Sequence, residues 1–139
     1  MNYSTFNINN FFIKKDSTLP ILKYPLIQQI REKYDITDDM LENIAVTFSM
    51  INADNGLYRI ANVPANFVIN NDRTEYPDEE KYTLTYKFTL DNTKIAGRYN
   101  GEFVIDFLNS EYGCGKIKLP INGCINIIIS DSLTQTIVI

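Results

Sequence analysis

Two stretches of this sequence alternate apolar and polar side chains with a period of two, and that period dictates a sheet. Ile44, Val46, Phe48 and Met50 interleave with Ala45, Thr47 and Ser49, and Tyr82, Leu84, Tyr86 and Phe88 interleave with Thr83, Thr85 and Lys87. Successive side chains of a strand point to opposite faces, so each stretch turns one face to a core and the other to water. A third, Arg98 to Leu108, carries Tyr99, Phe103, Ile105 and Phe107 on one face. Such half-buried alternation fits antiparallel sheets solvated on one side better than a parallel sheet. The chain holds 20 isoleucines and 16 asparagines against five alanines. That usage favours strands and turns over helices.

Between these strands the punctuation is local. Phe11 to Ile13 is a short apolar run before the polar turn Lys14 to Thr18. Leu19 to Ile30 contains Pro20 and Pro25, which excludes a regular helix and confines any strand there to an edge or bulge. Asp35 to Asn43 is the one helical candidate, with Thr37 as cap and Asp38 and Asp39 in the first turn. Asp54-Asn55-Gly56 signals a hairpin. Leu57 to Ile60 and Phe67 to Ile69 read as short strands, Asn70 to Glu80 as a solvated loop, and Asp91 to Gly97 as a loop. Lys116 to Ile121 and Cys124 to Ser130 flank an Asn122-Gly123 turn, which predicts a last hairpin, and Gln135 to Ile139 reads as a closing strand. The expected architecture is all-β: a sandwich of seven to nine antiparallel strands with one short helix. At 139 residues it forms a single domain, with residues 1–10 as a flexible or partner-contacting arm.

The composition excludes more chemistry than it suggests. There is no histidine, which removes Ser-His-Asp and Cys-His nucleophiles, His-ligated metals and the usual acid–base group near pH 7. A net charge of −4 without a basic cluster gives nucleic acid little to bind. No apolar run reaches the roughly 20 residues of a membrane helix, and MNYSTFNINN lacks the pattern of a secretory signal, so folding in a cytoplasm is expected. The glycosylation match Asn2-Tyr3-Ser4 is therefore idle. Cys114 and Cys124 cannot complete a zinc site unless carboxylates or a second subunit contribute. On the hairpin reading their sulfurs stand about 20 Å apart, which predicts two free thiols. Asp35, Asp38, Asp39 and Glu42 lack calcium-loop spacing, and Asp78-Glu79-Glu80 is contiguous. Gly113-Cys114-Gly115 lacks the third glycine and the helix of a phosphate loop. A carboxylate pair of the glycosidase type meets only in space, and no pair is singled out. The expectation is no catalytic residue, no metal and no cofactor.

What remains is contact. Tyr3, Tyr24, Tyr34, Tyr58, Tyr76 and Tyr112 fall outside the core phase of the alternating strands and are candidates for partner contacts. The apolar tail with Ile137 and Ile139 is either an internal strand or an assembly contact. Exposed tyrosines with loop carboxylates would also suit a carbohydrate- or receptor-binding sandwich of the adhesin kind.

Four segments together resemble a known family. They are Lys15-Asp16-Ser17-Thr18-Leu19-Pro20; Ala45 to Met50 with its Asp54-Asn55-Gly56 turn; Asp91 through Gly97-Arg98-Tyr99 into Glu102-Phe103; and Gly115 to Pro120 before Ile125 to Ile129. Their order and spacing resemble the N-terminal domain of the baseplate upper proteins of tailed bacteriophages, from about Phe11 to Leu133. The resemblance implies an Ig-like sandwich and a non-enzymatic role in the virion, after assembly in the bacterial host cytoplasm. It implies other virion proteins as partners, arranged as a homo-oligomer or symmetric assembly, and it carries no catalytic residues. In the family this domain leads into a helical or coiled-coil stretch. Here the sequence stops at Ile139, which suits a stand-alone adaptor of the baseplate, tail or head-fibre type.

Overall fold

The computed structural model describes residues 10–71, 81–109 and 115–132. Two sheets pack face to face. The larger runs β1 (Asn10–Lys14), β9 (Ile125–Ser130), β7 (Gly97–Phe107), β3 (Ile44–Asn52) and β4 (Tyr58–Pro64), with β8 (Lys116–Leu119) also on β7. The smaller runs β2 (Leu22–Pro25), β6 (Tyr82–Tyr86) and β5 (Asn66–Ile69). In Ig terms β2, β5 and β6 occupy the B, D and E positions and β3, β7 and β9 the C, F and G positions, with β4 as the added C′ strand. The expected all-β, Ig-like sandwich is the fold of this chain.

The larger sheet is mixed rather than wholly antiparallel. β1 runs parallel to β9, with Phe11 beside Ile127 and Ile13 beside Ile129. The direction follows from the path: β1 hands the chain to the other sheet at the end where β9 finishes, and Lys15 N–H donates to Ser130 O at 2.7 Å. The alternation of β3 and β7 gives the core its centre, nine residue pairs long. Phe48 is fully buried, 4.7 Å from the Tyr86 ring and 5.0 Å from the Phe103 ring.

At the start of β7, Tyr99 Oη donates to Ile95 O at 2.8 Å, the corner that pins the E–F turn of Ig-like domains. Two residues on, where antibody domains carry the second cysteine of their disulfide, stands Gly101. A Cβ there would lie 2.9 Å from Phe48 Cζ and 2.7 Å from Ile127 Cδ1. An aromatic ring fills the space that a disulfide occupies elsewhere.

Two local expectations fail. The α-helix lies at Gln28–Lys33 (α1), upstream of the expected Asp35–Asn43, which supplies only one turn of 3-10 helix at Met40–Glu42. Pro25 closes edge strand β2 and leaves the next residues free to wind, with Arg31 and Lys33 in the last turn suiting the helix dipole. Asp35, at φ 56°, then ends the helix as Ile36 N–H reaches back to Arg31 O at 2.8 Å. The cap position of that turn is Asp39 rather than the expected Thr37, whose Oγ1 accepts from Met40 N–H at 3.3 Å from two residues further upstream.

The second failure is the last hairpin. β8 and β9 do not pair; they lie end to end along one edge of β7, Leu119 opposite Phe103 and Ile125 opposite Gly101. The phase of the sequence requires this. A two-residue Asn122-Gly123 turn would set Leu119 opposite Asn126, placing Ile117 and Leu119 on the face away from Ile125, Ile127 and Ile129. End to end, the five apolar residues share the inner face. The 20 Å separation of the cysteines falls with the hairpin: Cys114 lies outside the described residues, and Cys124 is a half-buried free thiol. The 70–80 loop, from residue 72, and the closing 135–139 strand lie outside them too.

Candidate functional site

At the end of the sandwich where β1 and β3 finish and β4 and β7 begin, three connections come together: residues 15–21, 53–57 and 87–96. Thr93 is completely buried, and its hydroxyl donates to Ser17 O at 2.8 Å while accepting from Ser17 N–H at 3.2 Å. Asp16 N–H adds a bond to Thr93 O at 3.1 Å. Asn92 Oδ1 accepts from Thr89 N–H and Tyr86 Oη at 2.9 and 2.8 Å. The Arg59 guanidinium of β4 binds the Asp91 and Asn92 carbonyls and lies 3.8 Å from the Asp91 carboxylate. The 53–57 hairpin is closed by Asn52 Oδ1, which accepts from Asp54 and Asn55 N–H, and by Gly56 at φ 72°. Ala53 N–H to Arg98 O ties it to β7.

These tethered loops leave large aliphatic side chains in water: Leu57 is 66% exposed and Leu19 and Leu90 60%, with Ile21 and Ile95 also exposed. The loops carry Lys15, Lys87 and Lys94 against Asp16, Asp54 and Asp91, and Arg59 and Arg98 beside them stand 3.8 and 3.9 Å from Asp91 and Asp54. The end is therefore weakly basic, and its exposed aliphatic side chains are what it offers for apolar burial. Large exposed aliphatic groups held on ordered backbone are the chemistry of a protein contact surface.

The opposite end holds an open depression of about 570 Å³ between α1, the 35–38 turn and Lys81. Its cations are committed to the fold. Arg31 Nε donates to Leu26 O at 2.8 Å, and its guanidinium stands 5.0 Å from the Tyr82 ring centre and 3.8 Å from Asp38. Lys81 Nζ sits 5.2 Å from the same ring. Burial, and then a hydrogen bond with Asp38, pushes the Tyr82 pKa up. Among the described residues the lining is polar apart from Ile36 and includes no aromatic ring.

The structure scatters the tyrosines expected at contacts. Tyr24 is a correction: it is buried, edge-on to Phe103 at 6.2 Å, and burial pushes its pKa to about 12. β2 alternates despite its flanking prolines, so Leu22 and Tyr24 both point inward. Tyr34 is half-buried against the core, with Lys33 Nζ 5.6 Å from its ring. Tyr58 is exposed, beside Ile51 at the start of β4. Tyr3, Tyr76, Tyr112, Ile137 and Ile139 lie outside the described residues. Leu19, Leu57, Leu90 and Ile95 escaped the sequence reading, although an apolar residue isolated in a turn segment is itself a signal.

Among the described residues no group of three or more Cys, Asp or Glu side chains is placed to hold a metal ion, and no helix is long and apolar enough to cross a membrane. The class defined by this fold is an all-β, Ig-like sandwich that exposes five aliphatic side chains, Leu19, Ile21, Leu57, Leu90 and Ile95, at the loop end and others elsewhere. No protein-family model, characterised protein or solved structure matches the chain.

Proposed function

We propose that this protein is a non-enzymatic structural module of a tailed-phage particle, an adaptor or anchor of the baseplate, tail or head-fibre type that works through protein–protein contacts. The observation that carries the contact role is the loop end: exposed Leu19, Leu57 and Leu90 on backbone held by Thr93, Asn92 and Arg59. A preformed apolar surface loses little entropy on docking, so its burial goes into binding. The virion assignment rests on the sequence resemblance, and the repeated, symmetric setting it implies suits a small rigid block. Among the described residues the loop end exposes five aliphatic side chains against one ring, Tyr58, a balance that favours a protein partner over a glycan.

The test is affinity capture of the tagged full chain from a lysate of phage-infected cells, read by mass spectrometry. Recovery of head or tail proteins is the expected result. Recovery of host metabolic enzymes alone would overturn the proposal.

A further inference from the structure

Strand β1 is the terminal strand of the larger sheet, and among the described residues only β9 pairs with it. Lys15 N–H turns to Ser130 O. Backbone groups alternate in direction along a strand, so Phe11 and Ile13 also bond to β9, while the N–H and C=O groups of Asn10, Phe12 and Lys14 face away from it. Natural edges are usually blunted by short length, a charged side chain, proline or a bulge. β1 has neither proline nor bulge and carries its one charge, Lys14, at its end: its register with β9 is unbroken over five pairs, and at its centre Phe12 is 66% exposed. On the outer face Phe12 lies beside Ile128, and Asn10 beside Asn126, whose Nδ2 donates to Asn10 Oδ1 at 3.3 Å.

The geometry points to a second copy of this chain as the occupant of that edge, two β1 strands pairing antiparallel across a two-fold axis at Phe12. The strand is self-complementary in that register. Phe12 meets Phe12 of the second copy and Asn10 meets Lys14 of the second copy. Every outward-facing residue thus finds an outward-facing one, and all three pairs exchange both backbone hydrogen bonds. A slip by one residue would set outward groups against inward ones. The single charge on the strand, Lys14, falls opposite a neutral asparagine rather than its own copy. The two Phe12 rings stack across the axis, flanked by the Ile128 side chains, which buries the exposed ring. The product is one continuous sheet through both molecules. Five residues a side make a small contact, weak between free copies and strengthened wherever copies are held close together. It requires nothing of the virion reading, and either can fail alone.

The test places thiols on the edge of the full chain in a Cys114→Ser, Cys124→Ser background. Hydrogen-bonded antiparallel pairs bring Cα atoms to about 5.5 Å, within disulfide reach. Phe12→Cys is therefore expected to give a covalent dimer on mild oxidation. Asn10→Cys, about 14 Å from its own mate in this register, is not, whereas Asn10→Cys mixed with Lys14→Cys is. In sedimentation up to about 200 μM the weight-average mass of the unmodified chain should rise with concentration from 16.0 kDa towards that of a dimer. Phe12→Lys should stay monomeric with an unchanged melting temperature. An unmodified chain that stays monomeric, as it would were another segment of the same chain to occupy the edge, overturns the proposal. So does Asn10→Cys cross-linking as readily as Phe12→Cys, or a Phe12→Lys protein that dimerises like the parent.

Discussion

Replacing Thr93 by valine removes one oxygen from the centre of the loop end and little else. Valine keeps the branched shape, so no cavity opens in a site with no exposed surface. What is lost is the hydroxyl that donates to Ser17 O at 2.8 Å and accepts from Ser17 N–H at 3.2 Å. Two bonds at about 1 kcal/mol each, with both Ser17 backbone groups left half-buried and unpaired, give a cost of about 2 kcal/mol. Unfolding entropy of about 2.1 cal/mol/K per residue turns that into a drop of about 7 °C in melting temperature for a chain of this length. Urea denaturation should show the lower midpoint at unchanged slope, since the surface exposed on unfolding is the same. Hydrogen exchange should accelerate at the Asp16 and Ser17 amides while the β3 amides, facing β7, keep their protection relative to global unfolding. A loss below about 0.5 kcal/mol, or exchange faster throughout β3 but not in the 15–21 loop, would refute the tether.

Gly101→Ala should destabilise by about 1–3 kcal/mol, because its new methyl group meets the Phe48 ring and Ile127 inside 3.0 Å; a neutral result in a thermal melt would mean the aromatic packing is looser than described. Alkaline pH should unfold the protein through its buried tyrosines. Tyr24, raised to about 12 by burial, binds its proton in the native state after the unfolded chain has released it near 10. Its contribution is complete below pH 10 and falls away between pH 10 and 12, on the order of 3 kcal/mol in all. Tyr82 and Tyr86, also raised by burial, act in the same direction. Denaturant midpoints that hold constant from pH 9 to 11.5 would contradict this.

How far the chain could be read in advance depended on whether a residue's role was repeated along the sequence. β3 and β7 announce themselves because each inward residue recurs two positions on, and a period needs no knowledge of the partner strand. The order of strands carries no such signal. The Asn122-Gly123 dipeptide suggested a hairpin, yet the phase of Ile117 and Leu119 against Ile125 and Ile127 already forbade it, and that conflict was there to be read. Tyr24 misled because two prolines flank it; Pro20 lies before β2 and Pro25 is its last residue, so its alternation stays intact. α1 has no apolar stripe to reveal it, and none of its residues is buried. The loop end was least accessible of all. Thr93 and Ser17 are 76 positions apart, and only the folded chain shows that the loops of Leu19 and Leu90 are bound to each other and that Leu57 stands at the same end on a hairpin tied to β7.

The idea on which the rest depends is that this sandwich acts by touch, through the aliphatic groups of its loop end. Paired capture from infected-cell lysate tests it most directly, the unmodified chain against a Leu19→Asp, Leu90→Asp double variant. Both side chains are 60% exposed, so the variant should melt within about 2 °C of the parent. It should nevertheless lose at least ten-fold of every virion protein the parent retains, since buried carboxylates cannot replace apolar contact. Equal recovery by the two proteins would show that the loop end is not the surface that binds.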